Sequence, residues 1–293
     1  MSKKVITSYK AFDKNMRCRD FQYEVGREYK MDGDIKCCNR GFHACKNPLE
    51  VWDYYDMLNS RFAEVEQSGK IDEEGNSTKV CSSHIKIKAE LKLADIIKVG
   101  VEWLKDITTP SKFKTDGALN DNGDRNKQIG SSGYSAKIGS SGDYAQIGSS
   151  GDSAQIGSSG DSAQIGSSGY SAKIGSSGDY AQIGSSGDYA KIGSSGDSAQ
   201  IGSSGDSAQI GSSGDSAKID STGEDSVIMC AGNNSMAKAK AGSWITLSEW
   251  EWNNEKSRHV PTCVKTEYVD GENIKADTWY RLKNGKFVEV EDY

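Results

Sequence analysis

The sequence predicts a mainly β chain: a central parallel β-solenoid of nonapeptide repeats, an N-terminal α+β domain and a small C-terminal antiparallel β module. Three observations carry this. Residues 129–218 are ten tandem copies of Ile-Gly-Ser-Ser-Gly-[Asp/Tyr]-[Ser/Tyr]-Ala-[Gln/Lys], a period of the kind that stacks into solenoids. Residues 61–66 and 83–92 alternate polar and apolar side chains, as half-buried strands do. Asn284-Gly285 separates Thr278-Trp-Tyr-Arg-Leu282 from Lys286-Phe-Val-Glu-Val290, a two-residue hairpin signature.

The α+β domain covers residues 1–107. Its strands are Arg61-Phe-Ala-Glu-Val-Glu66 and Ser83-His-Ile-Lys-Ile-Lys-Ala-Glu-Leu-Lys92. A helix is expected after Asn47-Pro48, because an N-cap residue, a proline at the first helical position and a glutamate three residues on precede the run Val51, Trp52, Tyr54, Tyr55, Leu58. A second helix is expected from Leu93 or Asp95 to about Lys105, with Ile96, Ile97, Val99, Val101 and Leu104 on its buried side.

Residues 108–128 read as a linker and imperfect entry coil, since Leu119 to Ile129 resembles the repeat with one residue inserted and its serines lost. Within the repeat, Ala and the next copy's Ile are two residues apart, so both point inward from one extended strand while Gln or Lys points out. Gly-Ser-Ser-Gly is assigned to the corner, its glycines supplying unusual backbone angles. Two copies then close one coil, and a three-sided coil of three copies is the alternative. Ten copies make five coils, about 24 Å of rod at about 4.8 Å per layer. Residues 219–236 are degenerate terminal coils with larger apolar residues such as Val227 and Met229, which suit a cap. Residues 237–293, with Trp244, Trp250, Trp252 and Trp279, form the β module.

Stacking at every second copy puts Asp143, Asp161, Asp179, Asp197 and Asp215 in one column. Tyr134 and Tyr170 fall in the other corner row, and the repeat also carries Tyr144, Tyr180 and Tyr189. These ten residues are the candidate binding surface. The aspartates either draw a cation or basic partner or cap their own turns. Calcium is not expected, because aspartate falls one position early compared with the calcium-binding nonapeptide of β-rolls.

The net charge is −6, and the repeat carries four lysines against eight aspartates, so a direct nucleic-acid footprint is not expected. Seven irregularly spaced cysteines and the absence of a signal-like apolar stretch after Met1 suggest reduced thiols in a cytosol. No segment has the run of apolar residues a membrane helix needs, and no cofactor is expected. Cys37, Cys38, His43 and Cys45 offer soft ligands, although their spacing matches no standard zinc knuckle. Buried or incidental thiols are the plainer account.

The segments Tyr9-Lys-Ala-Phe12, Phe21-Gln-Tyr-Glu-Val-Gly26, Arg40-Gly-Phe-His-Ala-Cys-Lys-Asn-Pro48, Ala63-Glu-Val-Glu66 and Ser83-His-Ile-Lys-Ile87 resemble an uncharacterised domain family of phages and gut bacteria, in which nonapeptide repeats follow the domain. The resemblance implies a phage setting and the cytoplasm of an infected or lysogenic host. A more distant similarity is to ADP-ribosyltransferase folds. Lys10 stands where such folds have arginine, His43-Ala-Cys45 replaces their Ser-Thr-Ser, and Glu64 and Glu66 are the nearby acidic pair. His43, Glu64 and Glu66 are therefore the candidate catalytic residues of an enzyme reading. The expected function is non-enzymatic: a mildly acidic solenoid presented to a protein or other macromolecule, with inhibition of a host defence protein as its purpose. Self-association and a small-molecule or nucleotide sponge are the alternatives.

Overall fold

The protein is described by a computed structural model covering residues 5–73, 78–108, 118–120 and 123–291. The chain divides into two compact units, residues 1–103 and 104–293. Most of the expected 108–128 linker lies outside the described residues.

The first unit contains β1 (Ile6–Phe12), β2 (Arg17–Cys18), β3 (Phe21–Gln22), β4 (Glu28–Lys30), β5 (Phe42–Cys45), β6 (Arg61–Glu73) and β7 (Lys79–Leu91). Five of these form a sheet in the order β4-β7-β5-β1-β6, and β7 also pairs with β6, so the sheet closes on itself as a small barrel. Closure explains β1: with β5 on one edge and β6 on the other, Ser8 to Phe12 are all buried. Phe12, Phe42, Val65, Ile85 and Ile87 fill the interior. Gln67 is buried and satisfied: its Oε1 accepts from Ser8 Oγ at 2.7 Å, and its Nε2 donates to the Phe42 carbonyl at 2.7 Å and to Ser82 Oγ at 3.1 Å. One side chain thus ties three strands together, at the cost in desolvation that only full pairing offsets.

The helix expected after Asn47 is a short 3-10 turn, Leu49–Asp53. Asn47 Oδ1 accepts the Leu49 N–H at 3.0 Å as a local cap. Asp56 Oδ1 then accepts the Leu58 and Asn59 N–H groups, closing a turn before the apolar run can wind further. The second helix forms as the pattern predicts, as α1 (Leu93–Thr108), with Ile96, Ile97, Val101 and Leu104 fully buried. Gly100 lets it approach closely, since an added Cβ would lie 2.5 Å from Leu49.

In the second unit each nonapeptide contributes one four-residue strand, and successive strands alternate between two sheets. One, here the glutamine sheet, holds Gln128–Ser131, Gln146–Ser149, Gln164–Ser167, Gln182–Ser185, Gln200–Ser203, Lys218–Ser221 and Met236–Ala239. The other, the lysine sheet, holds Lys137–Ser140, Gln155–Ser158, Lys173–Ser176, Lys191–Ser194, Gln209–Ser212 and Val227–Cys230. Every strand within the repeat pairs in parallel with its counterpart two copies away, Ile on Ile and Ser on Ser. The coil is two-sided, and about seven turns occupy residues 128–247. Beyond the ten copies, Leu119 takes the Ile column at one end, and Ile228, Ala237 and Ile245 take it at the other.

Ile and Ala point inward as the pattern predicts, the alanines from Ala136 to Ala217 having no exposed area. The corner differs from expectation. The first Gly and first Ser of Gly-Ser-Ser-Gly belong to the strand, and that Ser points into the core beside Ile. The left-handed backbone sits on the seventh residue of the copy, Ser or Tyr, with φ of 55–57° in all ten copies, rather than on a glycine. The second Gly is needed for stacking. At Gly178 an added Cβ would lie 2.5 Å from the Gly160 carbonyl carbon, and closer still to its oxygen. Gly160, Gly196 and Gly214 meet the coil below in the same way.

The last parallel strand, Trp244–Asn253, outruns the rod and turns back as an antiparallel hairpin with Arg258–Tyr268. The predicted Asn284-Gly285 hairpin, Tyr280–Lys283 with Lys286–Glu289, joins the other sheet antiparallel at Ala237. The switch in strand direction ends the ladder that would otherwise be open to further coils.

Candidate functional site

A cleft of about 620 Å³ opens in the first unit, lined by β1, β5 and the segments after them. Lys10 lies at its floor. Because β1 is covered on both edges, this side chain is held in place with 5% exposure. Its Nζ donates to the His43 carbonyl at 3.0 Å and approaches Cys18 Sγ at 3.3 Å, and it stands 5.5 and 5.4 Å from the ring centroids of Phe12 and Tyr23. Tyr55 Oη donates to the same Cys18 sulfur at 2.9 Å. Arg19 and Lys79 also line the cleft, against one carboxylate, Asp20. Burial, followed by the Lys10 and Lys79 charges, holds His43 below the ordinary imidazole range. Burial pushes the Tyr23 and Cys45 protons the other way, so both stay neutral.

Of the sulfur-rich set, His43 and Cys37 come together with Cys81 rather than with Cys45, their donor atoms lying within 4.8 Å of one another. Cys81 is on β7 opposite His43, a pairing that only the sheet register reveals. The His43 Nε2 accepts the Cys38 N–H at 3.0 Å, so its lone pair is occupied. Burial raises Cys81 to about 12, with the neighbouring Cys37 adding to the effect, which keeps a neutral thiol rather than a ligating thiolate. Cys45 is buried, and Cys38 is exposed. The arrangement is a packed cluster of two thiols and one imidazole.

The acidic pair of the enzyme reading is placed elsewhere. Glu66 is ion-paired with Lys88 at 2.7 Å, Glu64 stands opposite Tyr9 across the β1–β6 ladder, and neither lines the cleft that holds His43. The three residues are not assembled into one catalytic group. Lys10, which lines the cleft, is not among the candidate site residues that the sequence supplies; there it is marked only by the distant resemblance, in which it replaces an arginine, and by being a lysine inside an apolar strand segment, Tyr9-Lys-Ala-Phe12.

On the solenoid, Asp143, Asp161, Asp179, Asp197 and Asp215 do form one column. Their carboxylates do not cap their own turns: each Oδ1 accepts the backbone N–H of the residue one coil on, from Asp161 N at 3.2 Å to Asn233 N at 2.7 Å. The column is a seam, and at its first member the second carboxylate oxygen, Asp143 Oδ2, stands 3.7 Å from the Arg125 guanidinium. Tyr144 and Tyr180 flank it, and Tyr134, Tyr170 and Tyr189 occupy the opposite corner row, where Tyr170 and Tyr189 pack with ring centroids 5.2 Å apart. All five rings are 44–70% exposed.

No helix among the described residues is long and apolar enough to cross a membrane. No curated protein and no solved structure matches the chain. These comparisons support neither a phage source nor an ADP-ribosyltransferase likeness. Over residues 6–99, roughly a third of its length, the chain is similar to a family described as a domain of unknown function (DUF7666).

Proposed function

We propose that this is a non-enzymatic binding protein whose solenoid presents its two corner rows to a macromolecular partner. The carrying observation is the set of five exposed tyrosines. At the seventh position Ser adopts the same backbone as Tyr144, Tyr180 and Tyr189 in the other seven copies, so the turn has no need of a ring. A bulky residue at positive φ is strained, and an exposed ring gains nothing from the core, whereas tyrosine is a favoured anchor at interfaces. The neighbouring carboxylate column favours a basic partner. The resemblance to phage and gut-bacterial domains extends this to a host cytoplasm and to neutralisation of a host defence protein.

The test replaces Tyr144, Tyr180 and Tyr189 together by Ser, which leaves the turn unchanged. Wild-type protein is expected to retain a host protein at stoichiometric level in pull-downs, and the triple variant to lose it. Retention of the same partner by the variant, or recovery of no partner by the wild type, overturns the reading. Light scattering separates a second copy of the chain from a foreign partner.

A further inference from the structure

The cleft of the first unit presents a different problem, independent of the solenoid. Lys10 carries a charge at a site almost closed to solvent. Two of its three N–H donors are used, on the His43 carbonyl and Cys18 Sγ, and no carboxylate among the described residues stands within ion-pair distance. A buried ammonium without a counterion is costly, and the faces of Phe12 and Tyr23 offset only part of that cost. The other charges on the walls, Arg19 and Lys79 against Asp20, add to the positive field. The depressed His43 is the response of a neighbouring titratable group to burial and to that field. One wall is aromatic: Phe21 is 45% exposed yet braced edge-on by Tyr23 at 4.8 Å and Tyr29 at 5.3 Å, so an apolar ring is held open to the cleft.

We propose that this cleft binds a small organic anion that carries an aromatic or heteroaromatic ring together with a phosphate or carboxylate, with the anionic group on Lys10 and the ring against Phe21. The volume, about 620 Å³, falls in the range of small-ligand pockets. The ligand provides the counterion that the fold omits and takes the remaining ammonium donor. Arg19 and Lys79 line the route of the charged group.

Calorimetry on the full chain tests this with four probes: AMP and benzoate, which carry ring and charge, adenosine, which carries the ring alone, and inorganic phosphate, which carries the charge alone. AMP or benzoate is expected to bind saturably, at least tenfold more tightly than adenosine or phosphate, and the stronger of the two identifies a phosphate or a carboxylate ligand. Lys10→Met, of similar shape, is expected to lower that affinity at least tenfold, and Arg19→Met, at a side chain outside the core, by less. Because Cys18 Sγ is 3.3 Å from Lys10 Nζ, the bound probe is also expected to slow alkylation of Cys18, a readout that needs no variant. No saturable binding of either anion, a stronger anion that binds no more tightly than adenosine and inorganic phosphate, or an unchanged affinity in a folded Lys10→Met protein overturns the proposal. If Lys10→Met fails to fold, Arg19→Met and the Cys18 protection decide it: loss of affinity together with protection supports the site, and the absence of either one refutes it.

Discussion

Gly178 and Gly175 stand in the same copy, and the same substitution is expected to act on them in opposite directions. At Gly178 an alanine Cβ would lie 2.5 Å from the Gly160 carbonyl carbon and 2.9 Å from the Asp161 nitrogen. Carbon atoms settle at about 3.5–4.0 Å, so the two coils must separate locally by about 1 Å. All the obstructing atoms are backbone and cannot swing aside. The bonds alongside, Ser162 N to the Asp179 carbonyl at 2.7 Å and Asp179 N to Asp161 Oδ1 at 2.9 Å, would then exceed hydrogen-bonding distance. Two lost bonds at about 0.5–1.5 kcal/mol each, with overpacking of about 1–3 kcal/mol, give a destabilisation of about 2–6 kcal/mol. At Gly175 nothing lies within 4 Å of the added carbon and φ is unremarkable, so Gly175→Ala should gain about 0.4–1 kcal/mol from a stiffer unfolded chain. Denaturant titration of both variants followed by far-UV circular dichroism gives the comparison. If the transition divides, the first midpoint reports the opened coils. Equal midpoints, or a Gly178→Ala midpoint above that of Gly175→Ala, would refute the stacking argument.

Two further outcomes follow from buried polar groups. The inward hydroxyls of Ser149, Ser158, Ser167, Ser176, Ser185, Ser194, Ser203 and Ser212 have no partner among the described residues. Ser185→Ala removes a desolvated, unpaired group and is expected to be neutral or to stabilise by up to about 1 kcal/mol; a loss above about 1 kcal/mol in the same titration counts against the inward seam as described. His43 is held below its unfolded value, so the unfolded chain binds the extra proton first. Its contribution to stability is complete above about pH 6.5 and is lost as pH falls from there through the depressed folded value. Between pH 7.5 and 5 the wild type should therefore lose more stability than His43→Gln, and parallel pH profiles would contradict the assignment.

The features legible in the sequence are those set by local pattern. The nonapeptide period fixes the inward Ile and Ala, whereas the choice between two and three copies per coil is made by the strand pairing; Asn284-Gly285 forms its hairpin because both residues tolerate positive φ (52° and 67°), and α1 follows its apolar stripe. What escaped the sequence depends on neighbours far along the chain. The second glycine of each copy is small because of a carbonyl two copies earlier, and the corner conformation falls on Ser or Tyr because the backbone N–H there is pinned to the next coil, as Tyr144 N is to the Asp161 carbonyl at 2.8 Å. Cys81 reaches His43 only through the β5–β7 register, and Lys10 becomes a buried charge only when β5 and β6 close on both sides of β1. The turn at Leu49–Asp53 shows the converse: Asn47 and the apolar run signalled a helix, and side-chain bonds from Asp56 ended it.

The alternation of copies between two sheets also governs how the rod can change length. Because each residue meets its equivalent two copies on, with Ile on Ile throughout, removing or inserting a pair of copies leaves every column intact and merely shortens or lengthens the stack by one layer. Removing a single copy would exchange the glutamine and lysine sheets for everything downstream, move the column aspartates beyond the deletion into the opposite corner row, and attach the hairpin of Trp244–Asn253 to the other side of the rod. Tandem nonapeptides invite unequal recombination in single units, yet only changes by two preserve the placement of the terminal module. Length variants that remain folded and active should therefore differ by whole coils, a parity rule written into the register of the ladder.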